Sequence, residues 1–142
     1  MGAATVLMAS GEDLPGNVKA VIADCGYTSE WDEFQREADT LHIPWFPVLN
    51  ATSVLSKVRD GYDFKQASAL AQVKKSRIPT LFIHGSSDEL VPYSMLGELY
   101  AAAACEKEEL TVEGAGHALS SSVAPTLYWR TVEDFIAKYL DR

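Results

Sequence analysis

The stretch IPTLFIHGSSDELVP, residues 78–92, decides the fold. Its first part is a short, mostly apolar run, which is typical of a parallel strand buried on both faces. Gly85 follows this run, and the polar residues after Gly85 include Asp88. The stretch therefore predicts a buried strand that leads into an acid-bearing loop.

Two further strands and several helices are predicted on either side of this stretch. Apolar runs at residues 18–25 and 109–113 have the same character as the run at 78–84. Helical patterns cover residues 3–10, 93–105 and 125–140, and Gly11 closes the first of them. Alternating strands and helices in a chain of 142 residues indicate one α/β layered domain, spanning 1–142.

One connection is too long for a simple crossover. Residues 27–75 separate the first two strands by far more than such a connection needs. Tryptophan, phenylalanine and proline crowd its first half, and residues 54–58 and 67–73 repeat at helical spacing. We predict that this insertion, residues 27–75, holds one or two lid helices over a pocket and the crossover helix.

Charge and composition exclude several classes of partner. The net charge is −8, and the only short basic cluster is at residues 74–77. A nucleic-acid surface needs clustered cations, so no nucleic-acid partner is expected, and the cluster is read as a solvated helix end. The apolar N-terminal stretch is too short for a membrane span, so no membrane segment is expected in this chain.

Cysteine and histidine usage indicates neither a disulfide framework nor a metal site. Cys25 and Cys105 are too few and too different in setting for a framework, which fits a reducing, cytoplasmic location. Cys25 is read as a strand-end residue rather than a nucleophile, because no cation lies near it in sequence. His84, Asp88 and His117 lack compact ligand spacing, so no metal is expected.

An acid and a histidine stand in a recognisable order. Asp88 follows one predicted strand, and His117, in Gly114-Ala115-Gly116-His117, follows the next strand 29 positions later. The chain opens on Met1-Gly2-Ala3-Ala4, whose small residues suit a tight strand-to-helix turn. In these features it resembles the C-terminal portion of an α/β-hydrolase, beginning just after the nucleophile serine of a Gly-x-Ser-x-Gly elbow.

The resemblance implies a role for each of these residues. His117 would be the general base, Asp88 the triad acid, and the backbone N–H of Met1 half of the oxyanion hole. Asp24, at the end of the first strand, is the alternative acid, because some members of the superfamily supply the acid from that position. Capping of the helix that starts near Pro92 is a rival explanation for Asp88.

The resemblance also implies a partial fold with an exposed sheet edge. About three mainly parallel strands, flanking helices and a short helical lid would remain. The unpaired edge of the strand at 18–25 predicts a homo-oligomer formed by edge pairing. An apolar substrate pocket is expected among the aromatic residues of the insertion: Trp31, Trp45, Phe46 and Tyr62.

Two functions from different classes follow. The first is the C-terminal portion of a serine hydrolase for small-molecule esters, thioesters or amides, without cofactor and inactive as given, because residues 1–142 contain no Gly-x-Ser-x-Gly. The alternative is a non-catalytic binding or interaction module derived from a hydrolase. A third hypothesis is that a separate chain supplies the missing half and restores turnover when the two are mixed.

Overall fold

The computed structural model describes residues 1–140, in which seven helices surround one sheet of three strands. None of these helices is both long and apolar enough to cross a bilayer. In chain order the elements are α1 Gly2–Ala9, β1 Val21–Asp24, α2 Glu30–Thr40, α3 Trp45–Asp60, α4 Ala69–Val73, β2 Thr80–Gly85, α5 Ser94–Ala102, β3 Lys107–Val112, α6 Ser120–Val123 and α7 Pro125–Leu140.

The three strands are parallel and lie in the order β1-β2-β3. Thr80 of β2 is in register with Val21 of β1 and with Lys107 of β3, so the strands begin at one level and end at a common edge. This confirms the predicted α/β class and the three parallel strands. The loops that carry Asp88 and His117 both leave from that common carboxyl edge.

Alternate side chains of β2 support opposite layers of the core. Phe82 packs with Leu7 of α1 and Leu99 of α5, whereas Leu81 and Ile83 face Phe135 of α7. All six residues of β2 are buried, as expected for a central parallel strand. Burial of each of these apolar side chains contributes about 1.5–3 kcal/mol, which makes β2 the anchor of the site.

Several element boundaries differ from the prediction, and two of the differences have identifiable reasons. The first strand begins at Val21 rather than at 18, because Val18 is exposed and its N–H binds the carbonyl of Pro15 in a turn. α5 ends at Ala102, although the alanines at 101–104 favour helix. Ala103 is extended and buried, and the N–H of Ala104 binds the carbonyl of Val73. Tertiary packing there overrides helix propensity.

The insertion forms a helical layer whose two ends meet. Ser29 and Ser68 pair in an isolated antiparallel bridge, and Glu30 N–H binds the carbonyl of Ala67. Between these ends lie α2 and α3, and the crossover helix α4 follows the bridge. No residue of α2 is buried and only Ser53 of α3 is, so the two helices stand on the core rather than in it.

Candidate active site

Asp88 lies in a tight turn directly after β2. Its Oδ1 accepts the N–H groups of Leu90 at 2.9 Å and Val91 at 2.8 Å. Its Oδ2 points to His117, and its side chain is fully buried. One oxygen therefore holds the turn after β2, and the other faces the histidine. The expectation that Asp88 caps the helix starting near Pro92 is wrong, because α5 begins at Ser94 and its N-cap residue, Tyr93, has no side-chain capping hydrogen bond.

The surroundings of Asp88 favour its charged form. Burial would raise the pKa of this carboxyl, but hydrogen bonds from Val91 N–H and His117 outweigh burial and hold the pKa below its ordinary value. A buried carboxylate that stays ionised is the group needed to orient and stabilise a protonated imidazole.

His117 lies in the loop after β3 and faces Asp88. Its Nδ1 donates to Asp88 Oδ2 at 2.9 Å, which leaves Nε2 as the acceptor nitrogen. The loop reaches this position through two left-handed residues, Gly114 at φ 73° and Ala118 at φ 56°. The His117 side chain is 30% exposed, so solvent reaches the ring that carries Nε2. The Asp88 side chain is fully buried.

His84 supports the Asp88 turn from beneath. Its Nε2 donates to the carbonyl of Val91 at 3.0 Å and lies 3.3 Å from Asp88 Oδ2. The ring is 1% exposed and meets Tyr93 edge to face at 6.0 Å between ring centroids. His84 thus holds the Asp88 turn rather than facing His117.

Within residues 1–140, none of the hydrogen bonds of Asp24 goes to His117. Its Oδ1 accepts the Cys25 thiol at 3.1 Å and the Ser120 hydroxyl at 3.4 Å, and Tyr128 also bonds to it. Burial and this bond raise the pKa of Tyr128. Asp24 therefore joins the end of β1 to α6 and α7, and the carboxylate that faces the histidine is Asp88.

Cys25 is buried between Asp88 and the loop that carries His117. Its Sγ accepts the N–H of Ala118 at 3.3 Å, one residue after His117. Burial, with the Asp24 carboxylate beside it, raises the pKa of the Cys25 thiol to about 12, so the thiol is protonated at neutral pH. Cys25, Asp88 and His117 are also the described residues whose metal-ligating atoms cluster, all within 4.8 Å of one another.

The start of α1 lies at the same edge of the sheet. Gly26, just after β1, is so near this helix that an added Cβ would be 2.9 Å from Leu7 and 3.6 Å from Ala3. Ala4 packs in a small core with Tyr27 and Val91. Met1 therefore precedes a helix whose first turn lies against the Asp88 turn, and Met1 itself is 81% exposed.

Sequence reasoning missed one contact of the insertion with this site. Arg36 of α2 donates through a guanidinium nitrogen to the carbonyl of Leu90, in the Asp88 turn, and also pairs with Glu33. An arginine on a polar helix gives no sequence signal of such a contact, because its partner is a backbone carbonyl 54 positions away.

The four aromatic residues predicted to line a pocket have three separate surroundings. Trp45 and Phe46 contact each other, and Phe46 lines an apolar groove of about 600 Å³ on α3. Lys65 covers the ring of Trp31 at 4.4 Å. Tyr62 packs on Phe64 and lines another cavity, of about 350 Å³, with Thr5 and Met8 of α1.

Comparison with known proteins places the chain in a family. The model of the prolyl oligopeptidase family, Peptidase_S9, matches residues 1–142. The uncharacterized protein YqkD of Bacillus subtilis is 31% identical over 139 residues, which cover 96% of this chain and 45% of YqkD. The chain thus spans less than half the length of this relative.

Solved structures share the fold at low sequence identity. The esterase domain of a Rhodothermus marinus protein has a TM-score of 0.66 at 18% identity, over 98% of this chain and 58% of its own. A Pyrococcus furiosus esterase gives 0.68 at 17%, over 97% and 51%. The Pyrococcus horikoshii acylaminoacyl peptidase gives 0.66 at 14%, over 96% and 22%. The fold is that of part of an α/β-hydrolase.

Proposed function

Because this chain belongs to the prolyl oligopeptidase family, we propose that Asp88 and His117 are the acid and base of a serine hydrolase that cleaves ester, thioester or amide bonds. The observation that carries the proposal is the 2.9 Å hydrogen bond from His117 Nδ1 to the buried Asp88 carboxylate. This pair, in this chain order, is the triad arrangement of α/β-hydrolases without its serine.

The geometry supports a definite path for one proton. With Nδ1 protonated and bound to Asp88, Nε2 of His117 accepts the proton of a serine hydroxyl as that oxygen attacks the substrate carbonyl. The resulting imidazolium is stabilised by Asp88, which remains ionised because its pKa is low. Nε2 then returns the proton to the departing alkoxide, thiolate or amine.

We place the nucleophile immediately before Met1, in an elbow whose last two residues are Met1 and Gly2. The packing of α1 supports this placement, because its first turn lies against Gly26 and beside Val91. The backbone N–H of Met1 would then be one oxyanion donor, and an earlier loop would supply the other. On this proposal the polypeptide 1–142 alone does not turn over substrate.

The insertion, residues 27–75, is proposed as a lid over an apolar acyl or alkyl group. Its meeting ends at Ser29 and Ser68, and the contact of Arg36 with the Asp88 turn, support a layer attached beside the site. Trp31, Trp45, Phe46 and Tyr62 are the aromatic side chains proposed to contact substrate in the complete enzyme.

The open edge of β1 is proposed as the place where another polypeptide pairs, a second copy when 1–142 is alone. Among the described residues β1 pairs only with β2, and a groove of about 350 Å³ between β1 and α7 is lined by Ile22 and Ile136. An unpaired strand beside apolar surface favours association. The unpaired thiols of Cys25 and Cys105 support a cytoplasmic setting.

The test begins with the reading frame upstream of Met1. An in-frame Gly-x-Ser ending before Met1 is expected, and the longer polypeptide is then assayed on p-nitrophenyl esters and aminoacyl anilides. Asp88→Asn and His117→Gln should each lower kcat about 10³- to 10⁴-fold. Asp24→Asn is the matched control and should lose far less.

Each other result has a definite meaning. A larger loss in Asp24→Asn than in Asp88→Asn would transfer the acid role to Asp24. Turnover by 1–142 alone would contradict the upstream nucleophile. Ligand binding without turnover by the longest polypeptide would favour the non-catalytic binding module.

A further inference from the structure

Three side chains of different chemistry meet at the carboxyl edge of the sheet. Cys25 comes from the end of β1, Asp88 from the turn after β2, and His117 from the loop after β3. A sulfur, a carboxylate oxygen and a ring nitrogen of these residues all lie within 4.8 Å of one another. Three adjacent strand ends supply them, so the packing of the sheet fixes their separation.

We propose that Cys25, Asp88 and His117 form a binding site for a thiophilic divalent cation of the Zn²⁺ class. Zinc binds sulfur at about 2.3 Å and imidazole nitrogen or carboxylate oxygen at about 2.0–2.2 Å, so a tetrahedral site sets its ligand atoms about 3.4–3.7 Å apart. A bound ion would replace the 2.9 Å contact of His117 Nδ1 with Asp88 Oδ2 by two coordination bonds, which separates these two atoms by about 0.5 Å. A pair of ligand atoms near the 4.8 Å limit would approach by about 1 Å.

The neighbours of the three ligands suit a bound cation. The N–H of Ala118 already points to Cys25 Sγ at 3.3 Å and would stabilise a thiolate. The N–H groups of Leu90 and Val91 hold Asp88 Oδ1 and leave Oδ2 for the ion. Asp24 Oδ1, 3.1 Å from the sulfur, adds negative charge beside the site.

Charge and access favour a site with three protein ligands and one open position. Binding moves the ring proton of His117 from Nδ1 to Nε2, which frees Nδ1 to coordinate, and releases the thiol proton to solvent. A thiolate and a carboxylate remain, and their two charges balance the ion. Cys25 and Asp88 are buried, whereas 30% of the His117 side chain is exposed, so the ion enters past the histidine. Hard cations such as Mg²⁺ prefer oxygen ligands and are not expected to compete.

Occupancy of this site has a functional consequence that rests on the proposed function, although the binding itself does not. An ion bound to Asp88 and His117 takes the acid and base from the proton path. Micromolar zinc would then inhibit hydrolysis by the longer polypeptide, and loss of the sulfur ligand would relieve that inhibition.

The experiment titrates Co²⁺ into metal-free, untagged 1–142 and records its absorption spectrum, followed by displacement with Zn²⁺ measured by calorimetry. A thiolate-to-cobalt charge-transfer band in the near ultraviolet with tetrahedral d–d bands is expected. Cys25→Ser should abolish the charge-transfer band and weaken Zn²⁺ binding at least tenfold. Cys105→Ser, the control for the other thiol, should change neither.

Several results would overturn the site. These are no Zn²⁺ binding at 100 µM, a cobalt spectrum without the thiolate band, or equal Zn²⁺ affinity of Cys25→Ser and the unchanged chain. Circular dichroism confirms that each variant is folded, and Asp88→Asn provides a second ligand variant if Cys25→Ser does not fold. Because binding is read without substrate, failure of the metal site leaves the hydrolase assay unaffected.

Discussion

Gly85 lies so close to Ala115 that a Cβ at Gly85 would be 2.1 Å from the Ala115 carbonyl oxygen. The next two residues continue this contact, since Ser86 N–H binds the carbonyl of Val112 and Ser87 N–H binds that of Ala115, both at 3.0 Å. The turn that carries Asp88 and the loop that carries His117 are therefore joined by backbone hydrogen bonds, and this junction brings Asp88 to His117 across 29 positions.

Gly85→Ala should disrupt this junction. The added methyl group meets backbone that cannot rotate away, so we expect a loss of at least about 1–3 kcal/mol in the free energy of unfolding, measured in urea. Gly97→Ala is the matched control, because Gly97 lies within α5 and a Cβ there meets no atom within 4 Å. It should be neutral or stabilising by up to about 1 kcal/mol. Equal unfolding free energies of the two variants would contradict the close approach of Gly85 to the Ala115 carbonyl.

Asp88→Asn should destabilise the chain in a pH-dependent way. Removal of a buried ionised acceptor is expected to cost about 1–3 kcal/mol at neutral pH. The folded pKa of Asp88 is depressed, so its contribution is complete above the unfolded value of about 3.9 and is lost as pH falls through the folded value. Urea midpoints between about pH 7 and 2 should converge for the two proteins in acid. A difference that stays constant would show that the carboxylate charge has no part in it.

Arg36→Ala should loosen α2 from the Asp88 turn. Loss of the hydrogen bond to the Leu90 carbonyl is expected to remove about 1 kcal/mol of local stability, equivalent to about fivefold faster amide exchange in α2. Hydrogen exchange read by mass spectrometry measures this directly. Arg59→Ala, on an exposed part of α3, is the control. Equal amide exchange of α2 in the two variants would contradict a stabilising role of the Arg36 contact.

Phe135→Ala should be among the most destabilising substitutions in α7. Phe135 is fully buried against Leu81 and Ile83, so the cavity that it leaves is expected to cost about 3–5 kcal/mol. Leu127→Ala, on the exposed side of the same helix, should change the unfolding free energy by less than about 0.5 kcal/mol. Denaturant unfolding at a fixed protein concentration distinguishes the two.

The sequence predicted features that depend on local pattern. The apolar run before Gly85 is β2, because a continuous apolar run suits a strand buried on both faces. The periodic residues after 124 form α7, because their apolar positions lie on one face of a helix and are buried against the sheet. The order of Asp88 and His117 was likewise readable, since each follows a strand. Their hydrogen bond is the three-dimensional consequence of two strand ends that lie side by side.

Contacts between groups that are far apart in the sequence could not be predicted from it. Asp24 accepts hydrogen bonds from the neighbouring Cys25 thiol and from the hydroxyls of Ser120 and Tyr128. Ser120 is 96 positions away, and no spacing rule predicts such partners. The partner of Arg36 is a carbonyl, which every residue possesses. The end of α5 at Ala102 depends on Val73, a contact that alanine propensity cannot express.

The bridge of Ser29 with Ser68 brings the two ends of the intervening segment together, so that this segment is attached to the rest of the chain at one place. Because the chain leaves and re-enters the scaffold at one point, a segment of another length or composition fits between these serines without moving β1 or β2. The segment between the two serines can therefore vary while Asp88 and His117 keep their positions. Grafting of this segment between relatives should therefore leave the hydrogen bond between His117 and Asp88 in place.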